Sequence, residues 1–135
     1  MNDNLRKQPK FIVFLSKLLV LFTVCPVCKT DNPLVETSAK GTMVEVKTIC
    51  KSATCPQKET IWKSQPEMPG TRMPAGNFLL CFSILLSGNS ASKVLQMFRH
   101  MGLSCIALRT YFRHQRVSFL IYNLHAVMAK VILSN

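Results

Sequence analysis

Four cysteines in two close pairs are the residues whose type and spacing suit metal chemistry. Two residues separate Cys25 from Cys28, four separate Cys50 from Cys55, and 21 lie between the pairs. Two such pairs can each clamp one side of a tetrahedral Zn²⁺ ion. Because sulfur would fill all four ligand positions, no coordination site is left for water or substrate. The spacing therefore predicts a structural zinc ion rather than a catalytic one.

The sequence between and after the cysteine pairs predicts strands, which is typical of a zinc-ribbon-like module. Residues 43–49 alternate in part between apolar and charged side chains, and residues 59–64 are predicted to be the return strand of a hairpin. Residues 29–40 are predicted to be turn-rich, since their Asp-Asn-Pro run favours a loop. We assign the module to residues 25–64.

The two remaining cysteines indicate the redox state. Cys81 and Cys105 lie in apolar, helix-like runs, where a free thiol behaves as a small hydrophobic group. With the other four cysteines at metal-binding spacing, reduced thiols are favoured over a secreted disulfide scaffold. The prediction is a nuclear or cytoplasmic protein.

Residues 1–24 combine a basic lead with an apolar run, Phe11–Val24. A membrane span needs roughly 20 apolar residues, so this run is short. A basic lead before such a run is also typical of a signal peptide, but Lys17 interrupts it and no small-residue cleavage site follows. We favour a buried strand at 11–14 and a short helix at 16–22 packed on the zinc module. A signal or anchor is the alternative.

The second half of the chain predicts helices. Residues 65–74 contain three prolines and a glycine and are interpreted as a linker and domain boundary. Capping residues then predict helices at about 76–86, 90–100 and 104–116. The short glycine-containing turn between the last two predicts a helix-turn-helix. The whole is an α+β fold, in which a small β module precedes a three- to four-helix segment at residues 75–116.

Charge points to an anionic partner. The chain carries a formal net charge of +11, and residues 68–135 hold seven lysines and arginines but no acidic residue. Such a half-chain favours nucleic acid or an anionic membrane surface. Three arginines on the last predicted helix share one face, which suits contact with DNA phosphates; a solvated basic face is the alternative. The candidate DNA-contacting residues are Arg99, Arg109, Arg113, Gln115 and Arg116.

No pattern for catalysis is found in the sequence. It contains no GxSxG, P-loop or GxGxxG motif, and none of its histidines has a carboxylate partner nearby. We therefore predict that the protein is not an enzyme. The tail at residues 117–135 is apolar and weakly patterned, and is interpreted either as a further core helix or, at 118–133, as a second membrane-associated stretch.

Four runs of the sequence stand out together: KFIVF at 10–14, CPVC at 25–28, VEVKTICKSATC at 44–55, and residues 61–116 from IWKSQPEMPG to YFRHQR. They resemble the amino-terminal part of a family of transposon-derived proteins abundant in fish and aquatic invertebrates. In that family a zinc module and a helical segment precede a DDE-type, RNase-H-like transposase core. The resemblance covers roughly residues 10–116 and implies DNA association. The family's catalytic carboxylates have no counterpart here, so transposase activity is not implied.

The resemblance ends where the tail begins, and we predict that the last 19 residues derive from intron read-through or a degenerate element. A transposase-like continuation in the genome after the codon for Arg116 would test this. The predicted function is a non-enzymatic, zinc-binding, nucleic-acid-associated fragment with salt-sensitive, weakly specific DNA binding. The alternative is a small membrane-associated protein anchored by residues 11–24 and 118–133.

Overall fold

The computed structural model describes residues 4–117 and confirms the predicted α+β class. The predictions for the tail at 118–135 lie outside these residues. The elements are helix α1 (Leu15–Leu19) with a following 3₁₀ turn (Val20–Phe22), strands β1 (Leu34–Lys40), β2 (Met43–Ile49) and β3 (Glu59–Lys63), and helices α2 (Ala75–Ser87) and α3 (Ala91–His100). A further helical stretch at 108–117 is called the arginine helix below.

The three strands form one antiparallel sheet in the order β1-β2-β3. Strand β2 is central, and its Met43 and Val46 side chains, which point to opposite faces of the sheet, are fully buried. Strands β1 and β2 are joined by two residues, since Lys40 pairs with Met43. The first of these residues is Gly41 at φ 65°, and hairpin turns of this length favour a positive φ there because it matches the twist of the strands.

Strand β1 corrects the prediction that residues 29–40 are turn-rich. Residues 34–40 pair along their whole length with β2. Their side chains are almost all exposed, so they lack the alternation of apolar and polar residues that marks a half-buried strand. The strand forms because the tight turn at Gly41 places it beside β2, an effect of pairing rather than of its own composition.

The apolar run near the amino terminus differs in part from its prediction. The short helix is confirmed as α1 and the 3₁₀ turn, but the predicted buried strand at 11–14 is wrong, because those residues form no strand and are exposed. Neither α1 nor the 3₁₀ turn contains a buried residue. The run meets the sheet through Phe22, whose ring lies edge-on to Trp62 with centroids 5.5 Å apart.

Hydrogen bonds join the sheet to the helices through the segment at 65–74. The Ala75 backbone N–H donates to the Pro66 carbonyl at 2.8 Å, and the Gln65 side chain donates to the Thr42 hydroxyl at 3.1 Å. In α2, the buried Asn77 side chain bonds to the β1–β2 turn. The segment predicted as a linker is thus hydrogen-bonded at both ends.

The predicted ends of α2 and α3 are confirmed. Helix α2 ends at Ser87 and is capped by Gly88, which adopts a left-handed conformation with φ 67°. The Ser90 side chain caps α3 by accepting from the Lys93 N–H at 3.5 Å. The helices enclose a small apolar core, whose buried residues are Cys81, Ile84, Leu95, Ile106 and Tyr111.

The connection after α3 is longer than predicted. Residues 101–107 are not helical, whereas we predicted that Ser104 caps a helix. Its hydroxyl instead donates to the Gly41 carbonyl at 2.6 Å, so it is committed to the distant β1–β2 turn. A helix-turn-helix has a turn of about three or four residues, and the predicted short turn is therefore wrong.

None of the helices described between residues 4 and 117 combines the length and the hydrophobicity that crossing a bilayer requires. The anchor predicted as the alternative at residues 11–24 is therefore not a membrane-spanning helix in the described part of the chain.

Candidate metal centre

The fold brings the four predicted cysteines together. The sulfur atoms of Cys25, Cys28, Cys50 and Cys55 all lie within 4.8 Å of one another. Two pairs are closer, with Cys25 and Cys55 sulfurs 3.9 Å apart and those of Cys28 and Cys50 3.4 Å apart. Each close pair joins one cysteine from the first motif to one from the second, so the cluster ties two distant chain segments together.

The first pair sits in a tight backbone loop. Val24 and Asp31 form an antiparallel bridge, the Cys25 N–H donates to the Thr30 carbonyl at 2.8 Å, and the Lys29 N–H donates to the Cys25 carbonyl at 3.0 Å. The chain turns at Lys29, which adopts φ 62°. This turn points both sulfurs to the same side, because it folds the CPVC run back on itself.

The second pair is held by the strands. Cys50 directly follows β2, and its N–H donates to the Lys58 carbonyl at 2.8 Å, which continues the pairing toward β3. The Cys55 N–H donates to the Ser52 carbonyl at 3.4 Å, closing the second turn. The position of Cys50 is thus fixed by the sheet, and that of Cys55 by the turn between β2 and β3.

The separations fit a tetrahedral ion. Zinc–sulfur bonds of about 2.3 Å in a tetrahedron put sulfur atoms about 3.8 Å apart. The observed separations, from 3.4 Å between Cys28 and Cys50 to an upper limit of 4.8 Å, bracket this distance. Small rotations of the side chains would therefore bring all four sulfurs to one ion. Cys25, Cys50 and Cys55 are buried and Cys28 is half-buried, so the site is shielded on most sides.

The chemistry of the thiols also suits a metal. The Thr30 hydroxyl, 3.1 Å from the sulfur, and the Thr30 backbone N–H lower the pKa of Cys28 to about 6. The backbone N–H of Cys28 lowers the pKa of Cys25. Burial raises the pKa of Cys55. The Ser52 N–H lowers that of Cys50, but burial and the neighbouring cysteines together raise its pKa to about 12.

Two of the thiols, Cys25 and Cys28, therefore ionise more readily than usual, whereas Cys50 and Cys55 ionise less readily. A metal ion supplies a cation for all four, because a coordinating thiol is deprotonated on binding. The donor set, four sulfurs in tetrahedral spacing, is that of structural zinc sites and of iron–sulfur sites. With four protein ligands no position remains for a reacting water, so such a centre holds the fold rather than performing catalysis.

Polar groups two residues after Cys28 and two residues after Cys50 could not be assigned a role from the sequence. Thr30 follows Cys28 at this spacing, and Ser52 follows Cys50, whose sulfur accepts from the Ser52 N–H at 3.4 Å. Such second contacts orient metal ligands and tune their basicity. The repeated spacing was visible in the sequence, but it becomes meaningful only once the turns are known.

The predicted DNA-contacting residues lie elsewhere. Arg109, Arg113 and Arg116 are exposed and line one shallow depression on the arginine helix. The opposite face is buried through Tyr111 and His114, as expected of a helix with one basic and one packed face.

The two other predicted DNA-contacting residues are less favourably placed. Gln115 is half-buried, and Arg99 is exposed on α3 outside this depression. The structure thus gathers the three arginines but not the whole predicted set.

No protein-family model, curated protein or solved structure matches this chain.

Proposed function

We propose that this protein is a non-enzymatic zinc-binding module whose helical part associates with nucleic acid. One observation carries the first half of the proposal: four cysteine sulfurs lie within 4.8 Å of one another. Zinc is favoured over iron because it needs no redox partner and is the common ion of closed four-cysteine sites. A reduced cluster also fits the nucleus or cytoplasm rather than an oxidising compartment.

Zinc would act by folding the small β module. The two cysteine pairs flank the open end of the β1–β2 hairpin, where Leu34 pairs with Ile49, so one ion would join the loop before β1 to the loop after β2. Binding energy of this kind adds directly to folding energy, since the unfolded chain has no preformed site.

Metal analysis of the purified chain tests the proposed zinc binding. We expect about one zinc per chain by mass spectrometry of the metal content, lost in a Cys50→Ser/Cys55→Ser variant. A Cys81→Ser/Cys105→Ser variant is the matched control and should retain the metal, because these cysteines lie in the helical core. Iron in place of zinc, or no metal at all, would contradict the proposal.

The arginine helix supports the proposed association with nucleic acid. Three exposed guanidinium groups occupy one face, on a half-chain without acidic residues to offset them. Guanidinium groups pair well with phosphate oxygens. The expected resemblance to transposon-derived proteins, in the runs at 10–14, 25–28, 44–55 and 61–116, would agree with DNA as the partner. We expect binding that depends on salt more than on base sequence.

A salt titration of binding to duplex DNA tests the proposed association with nucleic acid. Replacing Arg109, Arg113 and Arg116 with glutamine should weaken binding and reduce the slope of log affinity against log salt by up to about 3, since each lost phosphate contact removes about 0.9. The control replaces three other exposed cations, in Lys51→Gln/Arg72→Gln/Lys93→Gln. Equal loss in both variants would mean that net charge alone, rather than this helix, carries the binding.

A further inference from the structure

The amino-terminal apolar segment, residues 11–24, presents a large hydrophobic surface to solvent. Phe11 is 86% exposed, Ile12 65%, Val13 60% and Phe14 77%. Successive side chains in an extended stretch point to opposite sides, so neither side of residues 11–14 is covered by the sheet. The surface continues into the short helical part, where Leu21 is 73% exposed. Exposed apolar surface on this scale marks an interaction site.

Positive charge surrounds the same segment. No acidic residue occurs between Asn4 and Thr30, while Arg6, Lys7 and Lys17 are exposed within or beside the apolar run. The basic lead folds back on itself, since the Lys10 ammonium donates to the Leu5 carbonyl at 2.7 Å. This bond closes residues 5–10 into a turn, and Phe11 directly follows that turn in the chain.

Three kinds of partner can be compared on these two properties. Nucleic acid would pair with the cations but leave the aliphatic side chains in water. A second copy of the chain would cover the apolar surface, but it would bring an equal set of cations against the first set. An anionic lipid surface satisfies both, because the acyl boundary takes apolar side chains and the headgroups take cations.

We infer that the amino-terminal apolar segment docks on the surface of an anionic phospholipid bilayer. Phe11 and Phe14 enter the interface, and Arg6, Lys7 and Lys17 lie against the headgroup phosphates. Helix α1 has five residues, so the segment lies on the bilayer instead of crossing it. The contact between Phe22 and Trp62 then holds the β module next to the membrane. Neither the metal site nor the arginine helix takes part in this docking, which is therefore independent of the proposed function.

Sedimentation of the purified full-length chain with vesicles tests the inference. We expect binding to phosphatidylcholine vesicles that contain about 30 mol% phosphatidylserine, and little binding to phosphatidylcholine alone. A Phe11→Ser/Phe14→Ser variant should bind at least about tenfold more weakly, because both rings leave the interface. Replacing Lys7 with glutamine should weaken binding about fivefold at low salt, the effect of one cation near an anionic surface.

A matched control replaces two exposed apolar residues of the sheet, in Leu34→Ser/Ile61→Ser, and should bind as the parent does. Failure of the parent chain to sediment with anionic vesicles would overturn the inference. So would full binding by Phe11→Ser/Phe14→Ser, since another basic surface would then be responsible. A parent chain that is dimeric without lipid, and monomeric in that variant, would assign the segment to self-association and equally overturn it.

Discussion

The side-chain oxygen of Asn77 accepts hydrogen bonds from both the backbone N–H and the hydroxyl of Thr42, at 2.7 and 2.8 Å. Its nitrogen donates to the Lys40 carbonyl at 3.0 Å. One buried side chain in α2 thus satisfies three polar groups at the β1–β2 turn. Strand β2 runs from this turn to Cys50, so the helical part of the chain supports the strand that delivers a candidate metal ligand.

Replacing Asn77 with leucine should destabilise the fold by about 3 kcal/mol. The substitution keeps the side chain's size but leaves the partly buried Thr42 N–H and Lys40 carbonyl without this partner, and an unsatisfied group costs about 1–3 kcal/mol where it is buried. Denaturant unfolding followed by far-UV circular dichroism measures this. Asn89→Ala is the control, since Asn89 is exposed and should change stability by less than about 0.5 kcal/mol. Equal effects would show that the turn does not depend on Asn77.

Replacing Gly41 with alanine should destabilise the protein more than replacing Gly102 does. Both glycines have positive φ, 65° and 69°, so alanine is strained at either position by about 1 kcal/mol. At Gly41 a methyl group would also collide with the Asn77 side chain, whereas at Gly102 nothing lies within 4 Å. The difference in unfolding free energy between the variants isolates the collision. No difference would mean that Asn77 moves aside freely.

The metal ligands were predictable from the sequence, but much of their support was not. Cysteine type and spacing alone identify Cys25, Cys28, Cys50 and Cys55 as one candidate ligand set, because few other roles demand two close pairs. Strand β1 and the bond from Ser104 to Gly41 were not predictable. Strand β1 depends on its pairing with β2 across the Gly41 turn, which its own exposed residues do not indicate. The Ser104 bond joins residues 63 positions apart, and local patterns carry no information about such a contact. Serine favours the N-cap of a helix locally, but Ser104 donates instead to the distant Gly41 carbonyl.

Replacing Thr30 with valine should weaken zinc binding about tenfold, as loss of a supporting contact to a ligand does. The Thr30 hydroxyl lies 3.1 Å from the Cys28 sulfur and lowers the pKa of Cys28, so its loss makes the thiol harder to ionise. Competition with a chromophoric chelator measures the affinity. The control is Thr54→Val, whose hydroxyl meets that of Ser52 at 3.1 Å rather than a sulfur. The loss should grow as pH falls, because protons compete with the metal for the thiolates; a pH-independent loss would argue against this cause.

The stability contribution of His114 should fall as the solution becomes acidic. Burial, with a smaller effect of Arg113, lowers the pKa of His114 below its usual value of 6.5. The unfolded chain therefore binds a proton at a higher pH than the folded chain, and stability is lost as pH falls below about 6.5. Comparing the parent with His114→Gln between about pH 7.5 and 5.5 isolates this dependence, since other titrating groups cancel. A constant difference between the two proteins would contradict it.

Replacing Lys29 with glycine should stabilise the metal-loaded protein by about 1 kcal/mol, because a residue with a Cβ is strained in the left-handed conformation. Lys29 adopts φ 62° within the turn that presents Cys25 and Cys28. Its ammonium also donates to the Pro26 carbonyl at 3.1 Å, so the glycine variant alone would mix two effects. Lys29→Ala separates them, since it removes the ammonium and keeps the Cβ. We expect the order of unfolding free energies to be glycine above lysine, with alanine at or slightly below lysine. Alanine equal to glycine would show that the turn carries no strain from the side chain.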